Sequence, residues 1–113
     1  MEPEGREYIT PEIEKRQHRR AKLLTHVQCA ALGRAEFMLT RDVSVGGMFV
    51  TAKDPFPANS EVAVSFSLRA GDPPISSQGK VVYSMRDVGM GIAFVDLSGA
   101  SLEALQKFVD EIV

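Results

Sequence analysis

Val62-Ala63-Val64-Ser65-Phe66-Ser67-Leu68 alternates apolar with small or polar side chains without a break, and this period of two decides the fold. Successive side chains of a strand point to opposite faces, so Val62, Val64, Phe66 and Leu68 share one face and look into a core. Working outward from there, similar apolar stretches run from Leu23 to Ala31, Arg34 to Thr40, Met48 to Ala52, Ser77 to Met85 and Gly91 to Val95. Between them stand turn formers: Leu32-Gly33, Val45-Gly46-Gly47, Asp54-Pro55-Phe56-Pro57-Ala58-Asn59, Gly71-Asp72-Pro73-Pro74 and Asp87-Val88-Gly89. Short connections join antiparallel neighbours, and closing six strands around one core removes the exposed edges of an open sheet. The expectation is a mainly β fold, a six-stranded antiparallel β-barrel with a C-terminal α-helix. Ser98 is placed to cap that helix, and Leu102, Leu105, Phe108, Val109 and Ile112 recur on one stripe that is expected to lie on an end or side of the barrel.

At 113 residues the chain is read as one domain, and 44% hydrophobic with 25% charged residues is the composition of a globular protein. No apolar run reaches the roughly 20 residues needed to span a bilayer, and Met1 to Glu14 hold neither a basic start nor an apolar stretch. A cytoplasmic protein without membrane insertion is expected. Cys29, the single cysteine, sits in an apolar strand segment and reads as an inert buried thiol. His18 and His26 lack carboxylate or cysteine partners in register, so neither a metal nor a cofactor is expected. Nor is an enzyme: there is no Gly-x-Ser-x-Gly elbow, no P-loop and no paired carboxylates beyond the N-terminal arm. Gly89-x-Gly91 matches part of a dinucleotide fingerprint but lacks the third glycine and the helix, and reads as a turn into the last strand.

The formal net charge of −2 hides a reversal of sign. Residues 1–14 carry Glu2, Glu4, Glu7, Glu12 and Glu14 against Arg6 alone, whereas Lys15, Arg16, Arg19, Arg20 and Lys22 follow without an acid between them. A single basic cluster in a balanced chain suits a small anion better than a long polyanion. Within it, Arg16-x-x-x-Arg20 offers two guanidinium forks that bind phosphate bidentately and stack on bases. Later comes Asp42-x-Ser44-x-x-Gly47, with a carboxylate to accept from a guanine edge, a hydroxyl, and glycines at Gly46 and Gly47 for a tight turn. Alone, the first motif reads as a solvated arm and the second as an ordinary turn.

Joined, the two motifs resemble the PilZ domain, the bacterial receptor domain for cyclic di-GMP. The likeness covers roughly residues 15 to 113 and extends to Gly47-Met48-Phe49-Val50 and to Gly89-Met90-Gly91-Ile92-Ala93-Phe94 before the helix. It implies that Arg16 and Arg20 contact phosphate and base, that Asp42 and Ser44 face the guanine and sugar-phosphate, and that Gly47 permits the backbone geometry. Lys15, Arg19 and Gly46 are candidate additional contacts, and Lys15, just before the first arginine, bears on whether one ligand or a stacked pair binds. The implied layout is a flexible acidic arm over 1–14 and a domain over 15–113. That domain divides into a basic ligand-binding arm at 15–22, a barrel at 23–96 and a helix at 98–113. The implied partners are cyclic di-GMP and a separate effector protein in motility, adhesion or exopolysaccharide output. The alternative is a ligand-independent protein–protein adaptor on the same fold. A nucleic-acid polymer is not expected, because the few aromatics read as core positions rather than as stacking platforms.

Overall fold

The computed structural model describes residues 19–112. Seven strands and one helix follow in chain order: β1 (Ala21–Lys22), β2 (His26–Ala31), β3 (Arg34–Val43), β4 (Gly47–Thr51), β5 (Glu61–Phe66), β6 (Ile75–Met85), β7 (Gly89–Val95) and α1 (Gly99–Ile112). All pairings are antiparallel, and β3-β2-β5-β6-β7-β4 closes on itself through β3–β4. The result is the expected six-stranded barrel plus one short extra strand, β1, which pairs with the far end of β3.

The alternation that announced β5 is met in the structure: Val62, Val64 and Phe66 are buried, and across the pairing Ile75, Ser77 and Val81 of β6 are buried in the same rhythm. Val27 and Cys29 from β2, Met48 and Val50 from β4, and Met90 and Ile92 from β7 complete the ring of core side chains. Burial, with a smaller contribution from Glu36, pushes the Cys29 thiol up to about 12, so it stays neutral and unreactive. Ser98 caps α1: its Oγ accepts from Ser101 N–H at 3.1 Å and its carbonyl from Leu102 N–H at 2.9 Å. Of the expected stripe only Leu105, Phe108 and Val109 enter the core; Leu102 and Ile112, one at each end, stay half exposed. No helix of the described residues is long and apolar enough to cross a membrane.

Two glycines explain how the barrel closes. A Cβ on Gly47 would stand 2.2 Å from the Ile92 carbonyl oxygen, and one on Gly89 would stand 2.1 Å from that of Val50. These residues mark opposite ends of the β4–β7 seam, where the backbones approach too closely for any side chain. Gly91, between them, leaves the space that the Tyr83 ring occupies.

Three departures from the sequence reading matter for the site. Ala21 and Lys22, assigned to the basic arm, are paired in the sheet opposite Val43 and Asp42. Leu23 to Thr25 leaves the sheet instead of opening β2, and β3 runs on to Val43. Phe37 is not a core residue. It lies on the outer face at 72% exposure, because Met38 and Thr40 take the inward positions of β3.

Candidate ligand site

The site is built on an irregularity in β3. Thr40 pairs with Val50 and Asp42 with Phe49, which leaves Arg41 as an extra residue in the ladder. Such a bulge re-aims side chains, and here it puts consecutive residues on the outside of the barrel. Thr40 points in and is buried, whereas Arg41 and Asp42 both face out beside Phe49. The Arg41 guanidinium lies 3.9 Å above the centre of the Phe49 ring, and its Nε is 3.5 Å from Asp42 Oδ2. Phe49 is 1% exposed and yet lies outside the barrel core, with the Tyr83 ring tilted beside it at 6.1 Å between ring centres.

β1 carries the basic segment to this place. Lys22 is registered with Asp42, and Arg20 Nε stands 3.4 Å from Asp42 Oδ1. Thr40 fixes the chain just after β1: its hydroxyl accepts from Thr25 N–H at 3.0 Å and donates to the Leu23 carbonyl, while Leu23 N–H donates to the Arg41 carbonyl at 3.2 Å. Asp42 therefore sits between two guanidiniums. Its Oδ1 is fully buried, the Arg20 contact is not aligned as a hydrogen bond, and no described group donates to it. A buried acceptor without a donor is uncommon in native proteins and calls for one.

Ser44 serves the turn after β3. It is 2% exposed, and its Oγ accepts from Gly46 N–H at 3.1 Å and Gly47 N–H at 3.2 Å, while its own N–H donates to the Gly47 carbonyl at 2.8 Å. Gly46 is tied to the last strand, its carbonyl accepting from Phe94 N–H at 2.9 Å. Ser44, Gly46 and Gly47 thus shape the ledge beside Asp42, with Gly47 demanded by the seam against β7. Arg19 points elsewhere, with Nη2 3.4 Å from Asp110 on α1. Lys15, Arg16 and His18 lie outside the described residues, as does the acidic arm.

Sequence reasoning missed Thr40 and Arg41. A period of two cannot register a bulge; the signal available was Thr40-Arg41 standing as a polar pair after Phe37-Met38-Leu39. Elsewhere, a shallow cleft of about 600 Å³ lies between Phe37, Leu39, Lys53 and Val88, and none of the motif residues lines it. Among the described residues no group of three or more His, Cys, Asp or Glu could hold a metal ion.

A family profile of the PilZ domain matches residues 14–111. The chain belongs to the PilZ family. Solved structures agree on the fold of this PilZ domain. The Bacillus subtilis inhibitor of motility superposes with a TM-score of 0.73 at 16% identity, over 84% of this chain and 49% of that one. The chain thus spans about half the length of that protein. The PilZ domain of YcgR from Escherichia coli, solved with c-di-GMP, gives 0.68 at 12% identity over 87% and 91%. The PilZ domain of CeSA from a cellulose-synthesizing bacterium gives 0.61 at 17% identity over 81% and 95%. Comparison with curated protein sequences gave no match.

Proposed function

We propose that this PilZ domain is a bacterial, cytoplasmic receptor for cyclic di-GMP that binds the nucleotide without turning it over and passes the signal to a separate effector protein. The observation that carries this reading is the β1–β3 pairing, which sets Arg20 against the buried Oδ1 of Asp42, an acceptor with no donor among the described residues. Cyclic di-GMP has two phosphates for guanidinium forks and two guanines whose N1–H and N2–H are the donors that a carboxylate lacks. Arg16 and Arg20 take phosphate and base, Asp42 takes the guanine edge, and Ser44 and Gly47 hold the turn that keeps Asp42 in place. The E. coli relative solved with c-di-GMP and the B. subtilis relative described as an inhibitor of motility support ligand and output respectively.

The Arg20–Asp42 ion pair is long at 3.4 Å and not aligned as a hydrogen bond, so Arg20 can exchange it for charge-assisted contacts to a ligand. Calorimetric titration with cyclic di-GMP, in parallel with GTP and a short oligonucleotide, tests the proposal. Micromolar or tighter binding of cyclic di-GMP alone, about −8 kcal/mol or better, is expected. Absence of heat at saturating nucleotide sinks the receptor reading and leaves the ligand-independent adaptor.

A further inference from the structure

Resting on the receptor reading, we infer that Arg41, outside both motifs, is a further ligand-binding residue that stacks on a guanine of the bound nucleotide. The bulge in β3 brings Arg41 onto the outer face beside Asp42. One face of its guanidinium lies on the Phe49 ring at 3.9 Å, and its edge is held by Asp42 Oδ2 at 3.5 Å. Its side chain is nevertheless 57% exposed, a wide opening for a group anchored at two points. A guanidinium is planar and weakly hydrated across its faces, and a purine placed on the face turned away from Phe49 completes a ring–guanidinium–base sandwich. Because Phe49 and Asp42 already restrict the side chain, little rotamer entropy remains to be lost on binding.

The position fits the carboxylate's needs as well. When Arg20 turns from Asp42 to the nucleotide, Arg41 still neutralises Asp42 and keeps its Oδ2 occupied, leaving Oδ1 directed at the guanine. The Phe49 ring under Arg41 is buried beneath it, so the alternative role is merely to cover an apolar ring. That alternative affects the melting temperature of the free protein and leaves nucleotide affinity alone.

The test is calorimetric titration of cyclic di-GMP into the full chain and into its Arg41→Ala and Arg41→Lys variants, with melting temperatures recorded for each. Arg20→Ala serves as the control for the main site. Stacking on an arginine or aromatic platform predicts a loss of at least about tenfold in affinity for Arg41→Ala. It predicts nearly the same loss for Arg41→Lys, since lysine keeps the charge but not the plane. In the unaltered protein the Arg41 Nε–H proton resonance should move upfield as the nucleotide is added, under the ring current of the base. Affinity within about twofold of the unaltered protein in Arg41→Ala, or its full restoration by lysine, overturns the inference while the receptor reading stands. Failure of the unaltered protein to bind overturns both.

Discussion

Asp42 is the residue on which the site turns, because a carboxylate between Arg20 and Arg41, with one buried oxygen that has no donor among the described residues, is arranged for exchange of partners. Arg20→Ala should weaken cyclic di-GMP by about 1.5–3 kcal/mol, the usual worth of a charge-assisted hydrogen bond. The melting temperature of the free protein should hardly move, since the 3.4 Å contact is not an aligned hydrogen bond and Arg41 continues to neutralise Asp42. Titration and thermal denaturation of the same preparation check both halves; a variant that melts several degrees earlier shows that Arg20 is structural. Ser44 belongs to the other kind of residue. Its hydroxyl accepts two amides of its own turn, so on the proposed reading it would act on the ligand through the position of Asp42.

At the scale of elements, the β4–β7 seam shows why a motif glycine can carry two meanings. Gly47 was legible in the sequence as part of a ligand signature, but its tight contact with Ile92 is a demand of barrel closure. Gly47→Ala should therefore destabilise the free protein by about 1–3 kcal/mol, the cost of forcing an extra carbon into a packed interface. Chemical denaturation without ligand checks this, and an unchanged midpoint contradicts the seam's role. The barrel itself could be read from strand periodicity and turn residues, because period-two burial is a local pattern. What escaped was long-range. The pairing of Ala21–Lys22 with β3 needs Asp42 in register across the intervening β2 hairpin, and the bulge at Arg41 is set by how β3 meets β4. Phe37 was misread for a similar reason, since the inward face of β3 is chosen by Thr40 holding Leu23 and Thr25, a contact that no local pattern announces.

Across the whole molecule, Arg19 and Arg20 link the site to the helix. Arg20 reaches Asp42, while its neighbour Arg19 reaches Asp110 on α1, which Gln106 also holds at 3.0 Å. On the proposed reading, a nucleotide that draws Arg20 away from Asp42 should also disturb the Arg19–Asp110 contact, and the surface of α1 is where an effector would read occupancy. Such a response would be the re-docking type of switch, in which a few exchanged ion pairs reposition one segment. The most direct test of the account is an amide chemical-shift map of the full chain during titration with cyclic di-GMP. The account predicts saturable shifts concentrated in Lys15 to Lys22 and Asp42 to Gly47, a smaller set around Asp110, and little change in the core strands β5 and β6. No shifts at saturating nucleotide, or shifts centred on the Phe37–Val88 cleft, would contradict it.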